Sequence, residues 1–498
     1  MPTITINEKK VETPTGTPLI QLLKQDLSLP CGGHGRCGKC RIFAEGDLSP
    51  LTEEEKSLLS KDEIQNNIRL ACCTKVLGNS TVKLYQTEKA ARICTDTIIP
   101  WEAPSPMFSE IGAAIDIGTT TLAANLYDRK GIIASSAMMN PQSAFGADVI
   151  TRIDSALSGN DGELAFCIRN AISHMLKSMC EDVGRRSDDI DGLVITGNTA
   201  MLYLLDKISP APLASAPFQV REKFGTFISS RELELPCSPE AKVYLPRCIS
   251  AFVGADITTA LLTADICKEN QTAMLADIGT NGEIVLWHKG KLICCSTAVG
   301  PAFEGANLSQ GMQGTPGAID HAYITNGQIN IHTIEDFPAV GICGSGIVDI
   351  LACLLDMELL DETGLLCDGT RSYILTDSVS VTQEDIRQIQ LAKSAVRAGI
   401  ETLLQQADIT PDQLCQLSIA GGFGNYLDLK NAGKIGLLPE ALIHTGRVLG
   451  NAALAGAAIL LGNTKRITES CALADSAETA ELSNNPIFVN KYVEYMMF

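Results

Sequence analysis

Two copies of one turn fix most of this chain. Ile115-Asp116-Ile117-Gly118-Thr119-Thr120-Thr121 returns as Ala276-Asp277-Ile278-Gly279-Thr280-Asn281-Gly282. Each copy lies among apolar, alternating runs: residues 111–117, 121–127 and 132–136 in the first, and 273–278, 283–288 and 291–295 in the second. Two hairpins opened by the same turn predict two α/β lobes of similar fold facing each other. In such a turn, Gly and Thr N–H groups and hydroxyls donate to phosphate oxygens. The Asp at each strand end can hold Mg²⁺ through water, or orient a water for attack.

Further strand-glycine-helix junctions surround the pair. Residues 193–199 end in Gly197-Asn198-Thr199, and residues 417–425 end in Gly421-Gly422-Phe423-Gly424-Asn425. After each comes another glycine-opened helix, at Gly254-Ala255-Asp256 and at Gly450-Asn451. Between them Ile386, Ile389, Ala392, Val396, Ile400 and Leu403 mark one face of a long helix. Singly, each junction reads as an α/β crossover turn; their order around the repeated turn makes them candidates for ligand contact.

The first ninety residues carry a different signature. Cys31, Cys37 and Cys40 share one glycine-rich loop, and the pair Cys72–Cys73 lies further on. Three thiols in such a loop with a distant fourth wrap a 2Fe–2S cluster, because iron favours thiolates and glycines let N–H groups turn toward the sulfides. The first gap is five residues, as in adrenodoxin-like ferredoxins. Arg69-Leu70-Ala71-Cys72 followed by a predicted strand over 74–84 resembles the end of that fold and makes Cys72 the fourth ligand, with Cys73 the competing choice. Zinc would call for two paired units where one is present. His34 lies in the loop, but a Rieske centre needs two histidines, so it reads as a packing or hydrogen-bonding residue. Around the loop, residues 3–7 and 10–13 pattern as a hairpin, and Thr17 reads as the cap of a helix carrying Leu19, Ile20, Leu22 and Leu23. Thr52-Glu53-Glu54-Glu55 suits a helix N-terminus rather than a metal. Residues 91–109, with Pro100, Pro104 and Pro106, read as a short linker in which Trp101 is a candidate anchor.

Charge and cysteine usage narrow the class. Residues 1–90 hold 12 Lys+Arg against 11 Asp+Glu, and the remainder holds 27 against 47, so the body carries the whole net charge of −19. An acidic body is a poor nucleic-acid binder. The acidity reads first as solubility, with docking of the near-neutral head on a protein partner as the alternative. The longest apolar run, residues 452–461, is too short for a membrane span. Eighteen cysteines with no signal-peptide pattern point to a reducing cytoplasm. Most should be inert core thiols, and the vicinal Cys294–Cys295 pair reads as a buried strand.

Residues 111–498 resemble the actin-like ATPase superfamily, to which sugar kinases and heat-shock ATPases belong. The resemblance implies a phosphate-1 loop with Gly118, Thr119, Thr120 and Thr121, a phosphate-2 loop with Gly279, Thr280, Asn281 and Gly282, and an adenosine loop with Gly421, Gly422 and Gly424. With the cluster domain in front, the whole chain resembles the reductive activators of corrinoid-dependent proteins, through residues 300–306, 341–349, 391–399 and 420–428 as well. The implied architecture is α/β: a β-grasp 2Fe–2S ferredoxin domain over 1–90, a linker over 91–109, ATPase lobe I over 110–265, and lobe II over 266–498 with a C-terminal helix returning to lobe I. The resemblance implies that the lobes are duplicated ribonuclease-H-like folds. Because only about twenty residues join ferredoxin and ATPase, the chain is expected to be a short version lacking the family's middle domain.

The resemblance implies ATP-dependent, one-electron reduction of cobalt(II) to cobalt(I) in the corrinoid protein of a methyltransferase system. Each ~59 mV of uphill mismatch costs a factor of ten, or roughly 1.4 kcal/mol. ATP can offset it if nucleotide biases lobe closure. The cofactors would be a 2Fe–2S cluster held by Cys31, Cys37, Cys40 and Cys72, ATP, and Mg²⁺. Asp116 and Asp277 would serve Mg²⁺ and the attacking water; Glu304 is a third carboxylate or the cap of the following helical turn. Expected partners are the corrinoid protein and an upstream low-potential reductant, with a homodimer left open and neither nucleic acid nor membrane involved. Other classes stay open: a small-molecule kinase with a regulatory cluster, for which Asp148 and Asp154 are available as bases; an activase for a radical dehydratase, which lacks a ferredoxin head; and a nucleotide-gated electron carrier without hydrolysis.

Overall fold

Short alternating segments build the N-terminal sheet. A computed structural model describes residues 1–7, 9–23, 27, 33, 35, 38, 40–84, 95, 99–422 and 426–498, with Asp62 described through its backbone alone. Strands Thr3–Ile6, Lys9–Glu12, Arg41–Leu48, Ile68–Leu70 and Val76–Leu84 form one five-stranded sheet, Thr3–Ile6 running parallel to Val76–Leu84 at its centre. Ile4, Ile42, Ile68, Leu70 and Val82 turn to one face and pack on Leu19 and Leu23 of the helix Leu19–Leu23, as a β-grasp requires. The expected turn carries Asn7 at φ +42°; Glu8 lies outside the described residues. Thr17 does not cap the helix: the N–H groups of Leu19, Ile20 and Gln21 donate to the carbonyls of Thr74, Ala71 and Pro18, while the Thr17 hydroxyl donates to the Pro14 carbonyl at 2.8 Å. Thr52 does cap the helix Glu53–Leu58, and Glu55 completes the capping box.

The two copies of the repeat become the centres of two six-stranded sheets. In the first the order is Thr226–Ser229, Lys242–Leu245, Ile190–Gly197, Ile111–Ile117, Thr121–Tyr127, Ile132–Met139. In the second it is Gly446–Val448, Gln416–Ala420, Thr272–Ile278, Gly282–His288, Lys291–Thr297, Glu478–Thr479. Four consecutive strands correspond one to one, from Ile190–Gly197 to Ile132–Met139 in the first and from Gln416–Ala420 to Lys291–Thr297 in the second, with the same parallel pair beside the same two antiparallel pairs. Helix Asp161–Asp182 covers the first sheet with Leu164, Ile168, Ile172 and Met175. The long helix Gln383–Gln406 covers the second, and all six residues of its expected apolar face are fully buried. Cys294 and Cys295 are buried in the strand Lys291–Thr297, as read from their neighbours.

The lobes meet through two helices, Ala255–Ala264 and Ala452–Gly462. A Cβ on Gly456 would lie 1.9 Å from the Thr259 carbonyl oxygen, so the helices touch backbone to backbone and only glycine fits. Thr263 Oγ1 donates to the Ala452 carbonyl at 2.7 Å beside this crossing. Leu454, Leu460 and Leu461 carry the second helix onto the first lobe's sheet. The last helix, Pro486–Glu494, lies instead along Gln383–Gln406, where the fully buried Lys393 donates to the Tyr495 carbonyl at 2.7 Å. Trp101 stacks on Tyr127 with ring centroids 4.3 Å apart and so fastens the linker to the first lobe. Among the described residues no helix is long and apolar enough to cross a membrane.

Candidate functional site

The repeated turns face each other across a cavity of about 260 Å³. Asp116, Gly118, Thr119, Thr120 and Thr121 line it from the first lobe; Asp277, Gly279, Thr280, Asn281 and Glu304 line it from the second, with Gly421 and Gly422 at one end. Gly282 stands behind the turn as the first residue of its strand, packed against Thr297 and Val299. Gly424 lies outside the described residues.

The phosphate-1 loop is held from behind. Asn140 Nδ2 donates to the Gly118 carbonyl at 2.8 Å, its backbone N–H to the Thr120 carbonyl at 2.9 Å, and Arg152 Nη2 to the Thr119 carbonyl at 2.6 Å. In a trans peptide the next N–H points the opposite way, so these donors aim the loop's N–H groups at the cavity. Asn198 Nδ2 donates to Thr119 Oγ1 at 3.1 Å. Glu304 ends the short turn Pro301–Glu304 and does not cap the turn after it. Its carboxylate spans the cavity, accepting from Thr120 Oγ1 at 2.5 Å and from Thr280 Oγ1 at 2.6 Å. One side chain thus ties both phosphate loops.

Four acids gather on the cavity floor, Glu283 buried and Asp116, Asp256 and Asp277 partly so. Asp116 Oδ2 accepts from Asn451 Nδ2 at 2.9 Å, across the lobes. Gly421, at φ +97°, would put a Cβ 2.8 Å from Asp277 Oδ1, so the loop lies directly on that carboxylate. Glu283 stands opposite Asp277 in register, and Asp256 sits in the first turn of helix Ala255–Ala264. Burial lifts Asp116 to about 6 against the Asn451 bond. Burial, with the charge of Asp116, lifts Asp277 to about 7. Burial and both these neighbours lift Asp256 to about 8, and burial with Asp256 and Asp277 raises Glu283 as well. Among the described residues no three of these carboxylates close on one point as a ready-made metal site; a hard divalent cation here would be held by Asp116 and Asp277 through water, and its charge would relieve the repulsion. The acids considered for a kinase are placed otherwise: Asp148 accepts from Thr151 N–H as a helix N-cap, and Asp154 is exposed.

At the N-terminal end, Cys40 Sγ and Cys72 Sγ converge to 3.2 Å, with Cys73 Sγ 3.6 Å from Cys72. Cys31, Cys37 and His34 lie outside the described residues. The hydrogen bond between the two sulfurs brings Cys40 down to about 7 and pushes Cys72 up. The contact pairs Cys40 with Cys72, and Gly33, Gly35 and Gly38 all adopt positive φ in the loop, so the donors present fit an iron–sulfur cluster. Glu55, fully buried, organises the segment that carries Cys72. It accepts from Arg69 Nε at 2.8 Å, Leu70 N at 3.0 Å and Thr74 Oγ1 at 3.1 Å. Burial would raise its carboxyl, but Arg69 and these donors hold it below the ordinary range.

Three family profiles match the chain. That of the "2Fe-2S iron-sulfur cluster binding domain" matches residues 4–77, that of the "RACo middle region" residues 111–269, and that of the "C-terminal domain of RACo the ASKHA domain" residues 271–498. Corrinoid activation enzyme RamQ of Eubacterium limosum is 30% identical over 95% of this chain and 94% of its own. The chain belongs to the reductive activators of corrinoid proteins. Also similar is the "[Co(II) methylated amine-specific corrinoid protein] reductase" of Methanosarcina barkeri, 25% identical over 77% of this chain and 76% of its own. The solved structure of a "Reductive activator for corrinoid,iron-sulfur protein" superimposes with a TM-score of 0.72 at 25% identity, covering 100% of this chain and 98% of that one. One expectation is corrected. This activator does not lack the family's middle domain: residues 111–269, read from their turn as an ATPase lobe, are that region.

Sequence reading found the activator's repeated aspartates, because their spacing recurs; it reached Asp256 through its glycine-opened junction and Glu283 as the end of the phosphate-2 loop without giving either carboxylate a role, and it missed Arg152. Asp256 had a signal: its junction mirrors the one that carries Asn451, and both helices point their first turns at the repeated aspartates. Arg152 had none, since a lone arginine in a seven-residue helix shows no pattern.

Proposed function

We propose that the chain is an ATP-dependent reductase that returns a corrinoid protein of a methyltransferase system from cobalt(II) to cobalt(I). What carries this reading is the end-to-end correspondence with a corrinoid activation enzyme, spanning the cysteine-bearing head and the two-lobed cavity together. When bound, a 2Fe–2S cluster supplies a one-electron carrier, and MgATP supplies binding and hydrolysis energy to set against an uphill transfer. Residues 1–90 serve electron transfer, with Cys31, Cys37, Cys40 and Cys72 as the cluster's thiolates. Residues 110–265 and 266–498 serve as the nucleotide lobes. Asp116 and Asp277 hold Mg²⁺ and the attacking water, assisted by Asp256 and Glu283. Thr119, Thr120, Thr121 and Thr280 offer hydroxyls to phosphate, with Gly118, Gly279 and Asn281 shaping their turns; Gly421 and Gly422 would face the nucleoside, and Gly424 is assigned to the same adenosine loop by the resemblance alone. Glu304 links the loops and acts as a third carboxylate. The corrinoid cobalt gains one electron, drawn from an upstream low-potential reductant. The setting is the cytoplasm, and the assembly is a monomer or a homodimer.

The test uses anaerobic protein, a cobalt(II) corrinoid protein of a methyltransferase system, and a low-potential reductant. Cobalt(I) is tracked by its visible absorbance with and without MgATP. ATP-dependent cobalt(I), lost in Asp277→Ala and in Cys37→Ala, is the expected result. ATP consumed on adding a small hydroxylated substrate, with no cobalt reduced, would replace this reading with a kinase.

A further inference from the structure

Arg152 is fully buried, yet it belongs to a short helix that exposes Thr151 and Asp154. Its guanidinium reaches behind the phosphate-1 loop. Nη2 donates to the Thr119 carbonyl at 2.6 Å, Nε to the Gly146 carbonyl at 2.9 Å, and Nη1 lies 3.4 Å from Met201 Sδ. Among the described residues no carboxylate forms an ion pair with it; Asp148 and Glu304 act on it only at a distance. Burying a guanidinium without an anionic partner is costly, and a buried cation immediately behind a loop of hydroxyls and N–H groups offers its field to an anion on the other side. A carbonyl drawn backward by a planar, charged donor also polarises its own peptide, which strengthens the following N–H as a donor.

We propose that Arg152 is a positioning residue for the nucleotide phosphates, fixing the Thr119 peptide and lending the phosphate-1 loop a buried positive charge. This rests on reading the cavity as a nucleotide site. Arg152 does not touch the ligand; it acts through the Thr119–Thr120 peptide, so its effect grows with the number of phosphates and ignores the nucleoside. Lysine keeps the charge but cannot donate to Gly146 and Thr119 in one fork.

Binding of MgATP, ADP and AMP to the full-length protein, measured by titration calorimetry, tests this. R152M is expected to lose roughly tenfold or more in ATP affinity, less in ADP affinity and nothing in AMP affinity, with R152K recovering part of the loss. Should R152M fail to fold, R152K carries the test: a loss of about threefold or more for ATP that vanishes with AMP. Equal losses for all three nucleotides would make Arg152 merely structural, and an unchanged ATP affinity in either folded variant would overturn the proposal outright. An unaltered protein that binds none of the three would sink the nucleotide reading and this inference with it; binding with no phosphate dependence would sink this inference alone.

Discussion

At the scale of single residues, the cavity floor stores repulsion. A carboxyl raised by burial binds its proton more tightly folded than unfolded. Its contribution to stability is therefore complete below the ordinary carboxylate range and is withdrawn as pH climbs through about 6, 7 and 8, the values of Asp116, Asp277 and Asp256. Without Mg²⁺, the unfolding midpoint should fall between pH 5 and pH 8.5; added Mg²⁺ should restore it at the alkaline end and do little at the acid end. Differential scanning fluorimetry across that range reads both, and a flat profile would mean the four acids do not interact as described. Asp256→Asn removes one charge at constant shape. It should raise the midpoint at pH 8 by about 2–4 °C while weakening Mg²⁺ binding about 10- to 100-fold. Asp116 and Asp277 were legible in the sequence because a repeat marks them. Glu283 and Asp256 were not, since their nearness arises from strand register and from a helix crossing, which one-dimensional spacing does not encode.

At the scale of elements, local rules were read well and tertiary ones less so. The capping box at Thr52 and the apolar face of Gln383–Gln406 arise from spacing alone. Thr17 failed as a cap because the helix's first N–H groups already donate to the carbonyls of Thr74, Ala71 and Pro18, two of them distant in sequence and so invisible to pattern. Two elements carry predictions. Glu55 joins the helix Glu53–Leu58 to the segment bearing Cys72; Glu55→Gln leaves the largely covered Arg69 without its anion and should cost the N-terminal domain about 3 kcal/mol. Loss of the cluster's visible absorbance at a lower urea concentration would report it, and an unchanged midpoint would show that Glu55 is dispensable. Gly456→Val wedges a branched side chain against the Thr259 backbone and should destabilise the lobe pair by about 1–3 kcal/mol, detectable by chemical unfolding. Its basal nucleotide affinity should fall too, because Asn451, which holds Asp116, caps the same helix.

At the scale of the whole molecule, two lobes of like construction meet over one cavity, and a near-neutral head precedes an acidic body. The fold class was legible because duplication writes itself into sequence twice; the identity of the first lobe with the family's middle region was not, since domain names track families and not physics. If nucleotide biases closure, small-angle scattering should give a smaller radius of gyration with MgATP than with ADP, and Gly456→Val should abolish the difference. The same radius in both nucleotides would separate hydrolysis from closure. The contact at Gly456 has a geometric consequence. With the two backbones already touching, the lobes can neither be squeezed together there nor slid past each other, and what remains is rotation about that point. The molecule is built like a pair of tongs: the crossing is the rivet, Thr120 and Thr280 mark the jaws, and Glu304, fixed in the second jaw, latches onto the first. Whatever the jaws exchange for that carboxylate sets the angle of the handles, so a change in the length of a few hydrogen bonds is delivered at the far rim as a swing.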